Sequence, residues 1–188
     1  LLSDNNYFYD EMILTIKNIK QLKSAVNSIE NEDKLYKFAL KLHTNHLYLN
    51  AGIKLLNCVA SNFKDILLTK LNNNKFVNSL NYYINMIFSS KYEDFIFGDF
   101  KLNIGIKKIL VQIHEIYTHF LDSDIFAICM EEDARSYSEE YIKKLNDFGK
   151  SIGVNKEIIA LIDKVNKIRE KESANFDIMN IRALLYNT

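Results

Sequence analysis

The chain has 188 residues, with Lys+Arg 24 balanced by Asp+Glu 24, no proline and no tryptophan. A formal net charge of zero provides none of the electrostatic pull that nucleic acid or an anionic membrane surface needs, so neither is an expected partner. Charged or amide residues interrupt every long apolar stretch, which excludes a membrane span.

This length suits one domain or a portion of a longer repeat array. Without proline, turns lose their commonest breaker, and long unbroken helices are favoured. The opening Leu1-Leu2-Ser3-Asp4 has no signal-peptide layout and reads as the start of an excised segment. Cys58 and Cys129 form no CxxC pair. Buried reduced thiols are expected at both, in a cytoplasmic or nuclear setting.

Along the chain, periodicity is helical almost everywhere. Leu35, Phe38, Leu42, Leu49, Ile53 and Leu56 recur at three- and four-residue steps, the signature of a buried helix face. A second line, Tyr36, Leu40, Leu47 and Leu55, lies on other faces of the same helix. A helix apolar on more than one side is expected to be sandwiched between neighbours. A shorter helical piece, Phe63 to Leu71, runs into Asn72-Asn73-Asn74, a polar turn able to cap the next helix. The stripe Phe76, Leu80, Tyr83, Ile84 and Ile87 predicts a helix from Lys75 to Ser89. From Ser90 to Leu102 aromatic and polar residues alternate around Gly98, and an ordered loop with weak strand character is expected.

The clearest helix spans Ile104 to Phe120, with Asn103 as its N-cap and Ile106, Ile109, Leu110, Ile113, Ile116, Tyr117 and Phe120 on one face. A brief helix from Asp124 to Met130 comes next. Ser138 is placed to cap another that reaches about Lys150, with Glu139 and Glu140 where the helix dipole favours negative charge. The last clear helix runs from Lys156 to about Lys171 with Ile158, Ile159, Ile162, Val165 and Ile168 inward. Helices joined by short turns, each burying a face on the next, define an all-α fold of stacked antiparallel pairs, an armadillo-like superhelix fragment. A compact helical bundle is the competing architecture.

The corner Glu131-Glu132-Asp133-Ala134-Arg135-Ser136-Tyr137-Ser138 is the candidate structural site, with Asp133, Arg135, Ser136, Tyr137 and Ser138 as its members. Arginine is rare here, and a forked guanidinium at Arg135 could bind a carboxylate such as Asp133 or Asp124 through two parallel hydrogen bonds, fixing the angle between helices. His43 and His46, spaced i, i+3, would share a helix face. Without accompanying cysteines or carboxylates they do not make a metal site. His114 and Glu115 are adjacent and point apart, so they form no acid/base pair. No glycine-rich phosphate loop and no nucleophile–base order is present; no catalytic residue, cofactor or metal is expected in this chain.

The order of elements from Glu115-Ile116-Tyr117-Thr118-His119-Phe120 through Asp124-Ile125-Phe126-Ala127 and the acidic-Arg-Ser-Tyr corner to Glu139-Glu140-Tyr141-Ile142-Lys143-Lys144-Leu145 resembles the end of the core of the ubiquitin chain-elongation factors, the U-box ligases that lengthen existing ubiquitin chains. The likeness covers about Phe76 to Glu172 and is looser upstream. It implies that residues 1–172 are the C-terminal part of the elongating-factor core and that 173–188 are a linker or short helix leading to a U-box. A U-box relies on proline-bearing loops, so none is complete in this chain. The resemblance further implies a parent ubiquitin ligase acting in proteasomal degradation. Its partners would be a ubiquitin-conjugating enzyme docked on the U-box, ubiquitin with ubiquitylated substrates, and an AAA-type segregase. Relatives lead into the U-box through a proline-bearing acidic stretch, whereas Ser173-Ala174-Asn175-Phe176-Asp177-Ile178 lacks that signature. The rival readings are a non-enzymatic helical-repeat scaffold for protein–protein interaction, and a bundle enclosing a small ligand, which would need convergent polar groups in an apolar cavity.

Overall fold

A computed structural model of the chain describes residues 7, 10–12, 14, 15, 17, 18, 21, 29–69, 73–89, 95–97, 100–102 and 106–186. Its elements, in order, are α1 (Ile29–Asn62), α2 (Lys64–Leu67), α3 (Asn73–Ser89), β1 (Phe95–Phe97), β2 (Phe100–Leu102), α4 (Ile106–His119), α5 (Asp124–Glu132), α6 (Glu139–Ser151) and α7 (Ala160–Tyr186). The fold is all-α, and its helices stack in pairs in the armadillo manner. α1 lies on α4, and α3 packs on both α5 and α6. α5 in turn is covered by α7, and α4 meets α6.

Each pairing follows from the apolar spacing. On α1, Leu42, Leu49, Ile53, Leu56 and Ala60 are all buried, recurring so that they share one side of a helix with 3.6 residues per turn. Phe76, Leu80, Tyr83, Ile84 and Ile87 are buried on α3, and Ile109, Leu110, Ile113, Ile116 and Tyr117 on α4. The centre of the core is aromatic. Phe126 of α5 stacks on Phe120 at 4.8 Å, meets Tyr117 edge-on at 5.4 Å and approaches Phe76 at 6.3 Å. Offset and edge contacts of this kind add to the value of area burial, and they tie α3, α4 and α5 at one point.

Four expectations change. The Ser90–Leu102 stretch contains an antiparallel hairpin, Phe95 opposite Leu102 and Phe97 opposite Phe100, because the aromatic–polar alternation is a strand period. The line Tyr36, Leu40, Leu47 and Leu55 is exposed rather than sandwiched. Cys129 is buried but Cys58 is exposed, since Cys58 lies on the same open side of α1. The final helix does not stop near Lys171 but continues without a break to Tyr186, because nothing in Ser173–Ile178 is a helix breaker. Asn72 and Asn103 lie outside the described residues.

Helix ends use the expected chemistry. Ser123 Oγ accepts from Phe126 N at 3.1 Å and Ser138 Oγ from Tyr141 N at 3.4 Å, each satisfying one amide of a first turn. After α6, Gly153 adopts φ +81°, the left-handed turn that lets Val154 N and Ile152 N donate back to the Gly149 carbonyl.

Candidate functional site

The corner between α5 and α6 is organised around Asp133. This residue is the C-cap of α5 and is 4 % exposed. Its Oδ2 accepts from Asn81 Nδ2 at 3.0 Å, and its Oδ1 accepts from Ser136 N at 3.1 Å. Its carbonyl accepts from Tyr137 N at 3.1 Å. Asn81, on α3, is buried in turn, and its Oδ1 accepts from the Tyr117 hydroxyl of α4 at 2.5 Å. Asn85 Nδ2 donates to the Ser136 carbonyl at 3.5 Å. A buried carboxylate is tolerated only when its lone pairs are taken up, and here one carboxylate joins α3, α4 and the corner into a single polar chain. Burial, the Asp133 charge and Tyr137 together hold the Tyr117 phenol well above its ordinary range, so Tyr117 serves as a permanent donor.

Arg135 does not take the wedging role expected of it. Its side chain is exposed and pairs with neither Asp133 nor Asp124; Asp133 is satisfied by an amide and a backbone N–H, and Asp124 meets Lys164 at 2.9 Å on the surface. The Lys164 ammonium depresses the Asp124 carboxyl below its ordinary value through a hydrogen bond and charge. The guanidinium that spans the corner is Arg169, from α7. It lies 3.5 Å from Glu131 before the corner, 3.4 Å from Glu139 after it, and 5.4 Å over the Tyr137 ring. Tyr137 is half-buried, and burial with Glu139 pushes its hydroxyl up to about 12, against the pull of Arg169. Of the five corner residues, Asp133, Ser136 and Tyr137 converge through these bonds, Ser138 caps α6, and Arg135 stands apart. Sequence reasoning missed Asn81 and Arg169 because their spacing from the corner carries no local signal.

A second polar cluster closes the α1–α4 seam. Asn57 Nδ2 donates to Gln112 Oε1 at 3.1 Å and to Glu115 Oε2 at 2.6 Å, while its Oδ1 faces His119 Nε2 at 3.2 Å. Burial first, then Lys156, lowers the His119 basicity. His114, next along α4, is buried with neither ring nitrogen bonded to any group, and desolvation holds it below its ordinary value despite Glu115. His46 of α1 is buried and His43 exposed, so the two do not share an environment. Among the described residues, no group of three or more His, Cys, Asp and Glu could hold a metal ion, and no helix is long and apolar enough to cross a membrane. The Asp133 and Asn57 clusters each bond across helices, an arrangement suited to holding shape.

A stacked all-α array of this kind is an armadillo-like helical-repeat architecture. Residues 1–170 match the family model described as ubiquitin elongating factor core, and the chain belongs to that family. The match takes in the N-terminal part as well, beyond the Phe76–Glu172 stretch in which the sequence alone resembled it. No curated protein matches the chain.

Proposed function

We propose that this chain is the scaffold segment of a ubiquitin chain-elongation ligase, the stiff arm that orients a downstream U-box. The observation that carries this reading is the course of α7. Its first turns bury Leu161, Ile162 and Val165 in the core. From Arg169 to Ala174 every side chain is exposed, yet the helix runs on to Tyr186, past residue 170 where the family match ends. A helix that leaves a packed core without a break transmits the orientation of that core to any module attached beyond it.

On this reading the chemistry occurs elsewhere. A conjugating enzyme docked on the U-box passes ubiquitin directly to a lysine of ubiquitin already on the substrate, in the service of proteasomal degradation in cytoplasm or nucleus. The arm supplies positioning, which is worth far more than its lack of reactive groups would indicate. A surface of the same core would meet the AAA-type segregase.

Helical phase provides the test, in a ubiquitin-chain assembly assay on the complete ligase. One alanine inserted between Glu172 and Ser173 rotates everything beyond by about 100°, whereas seven restore the phase to within about 20°. Single insertion is expected to shorten the chains formed and sevenfold insertion to restore them in part, with discharge of the conjugating enzyme by the U-box unchanged in both. Equal chain lengths in all three proteins would refute the arm and leave this segment an interaction scaffold that does not orient the U-box.

A further inference from the structure

α1 carries two apolar faces and buries one. Tyr36, Leu40, Leu47 and Leu55 are 62 %, 56 %, 52 % and 51 % exposed. At about 100° per residue they fall within about 100° of one another, on the side opposite the buried Leu42, Leu49 and Ile53. The row is about 28 Å long, roughly five turns. Single exposed apolar residues are ordinary on a protein surface, but an aligned row on one helix is a contact surface.

The charges beside this row identify the kind of partner it fits. Lys37 and Lys54 flank it, both exposed and neither in an ion pair among the described residues. The only acidic residue among the described side chains of α1 is Asp33. A second copy of the chain is disfavoured by the same charges. An antiparallel pairing that sets Tyr36 against Leu55 also sets Lys37 of one copy against Lys54 of the other, a like-charge contact at both ends of the interface.

We propose that this face of α1 docks an amphipathic helix of a partner protein, with apolar residues at i, i+3/i+4 and i+7 and with aspartate or glutamate along its flanks. The apolar row lies against the row Tyr36–Leu55, and the acidic flanks meet Lys37 and Lys54. This is the helix-on-helix mode by which α1 already packs on α4, repeated on its other side. The inference does not depend on the ligase reading, because it concerns α1 and not any module beyond α7.

The test uses the 188-residue chain and two fluorescent peptides of about 20 residues, long enough to span the row. Both carry the same leucine row; one has glutamate flanks and the other lysine flanks. Fluorescence anisotropy is expected to show binding of the acidic peptide, weakening as salt is raised, and at least tenfold weaker binding of the lysine-flanked one. Leu47→Ser should reduce binding of the acidic peptide by about tenfold, the loss typical of one apolar anchor, with an unchanged thermal melt. Lys37→Glu combined with Lys54→Glu should invert the peptide preference. Equal affinity for both peptides, binding of neither, or a dimer in solution that Leu47→Ser dissolves would each overturn the proposal.

Discussion

The two faces of α1 carry nearly the same residues and have opposite fates. Leu42, Leu49 and Ile53 are sealed from water, while Leu40, Leu47 and Leu55, each two positions away in sequence, remain open. Residue type does not distinguish the two rows. The difference between them is whether another helix lies alongside, and that is a property of tertiary packing. Stability and recognition can therefore be assigned to different rows of one helix, and substitutions can tell them apart.

The sharpest contrast comes from truncating one leucine on each face. Leu49→Ala removes a fully buried side chain and leaves a cavity, which typically costs about 3 kcal/mol. Leu47→Ala removes atoms that are already wet and should change stability by less than about 0.5 kcal/mol. Urea denaturation of the two variants measures the difference directly. Comparable losses would mean that both faces are covered in solution, and the division of labour on α1 would fail.

The Asp133 corner comes next in size. Asp133→Ala strips two acceptors from a site that excludes water, leaving Asn81 Nδ2 and Ser136 N without partners, at about 2–3 kcal/mol. Asp133→Asn keeps the shape but turns one acceptor into a donor facing another donor, so it should recover little. If thermal unfolding shows Asn as good as wild type, the carboxylate is not the group that joins α3, α4 and the corner.

Much of the array was legible in the sequence, and the reasons for the rest are specific. The stripes on α3 and α4 sat at regular spacing and the stripe residues became core, because a buried helix face is a local pattern. Ser138 announced its cap through Glu139 and Glu140 behind it. The corner itself was visible as a motif, but the assignment within it failed. Arg135 drew attention by its rarity, whereas Asn81 and Arg169, 52 positions upstream of Asp133 and 30 positions downstream of Glu139, reach it only through folding. The open face of α1 failed for the same reason, since hydrophobicity states what could be buried and not whether a neighbour is present.

Where α4 meets α6, a glycine and a histidine share one space. A methyl group on Gly149 would fall on Nε2 of His114 and lie 2.7 Å from its Cδ2, and a buried ring between two helices cannot swing away. Gly149→Ala should therefore cost about 1–2 kcal/mol by overpacking, even though alanine is the better helix former. In a His114→Ala background the same change should stabilise, a reversal that a double-mutant cycle detects. The histidine also adds a pH dependence of fixed sign. Burial lowers His114 in the folded state, so the unfolded chain binds protons more readily. The stabilising effect of the neutral ring is complete above the unfolded value of about 6.5 and is lost as pH falls below it, by at most about 1.4 kcal/mol per pH unit. Melting temperatures between pH 7.5 and 5.5 should fall less steeply in His114→Ala than in wild type. Parallel profiles would assign the acid sensitivity to His46 or His119, which burial also lowers.

The smallest effect separates two arginines. Arg135 has no carboxylate partner among the described residues and an exposed side chain, so Arg135→Ala should leave the melt within about 0.5 kcal/mol of wild type. Arg169 is half exposed, which weakens its ion pairs with Glu131 and Glu139, but it also covers the Tyr137 ring and links α7 to both sides of the corner. Arg169→Ala should cost about 0.5–1 kcal/mol at low ionic strength, and raising the salt should remove the Coulombic part and leave the contribution from stacking. Arg169→Lys keeps the charge but loses the planar fork, and should recover less than half of the deficit. If Arg135→Ala proves the more damaging of the two, the corner is held by a guanidinium on its own loop, and α7 merely rests against it.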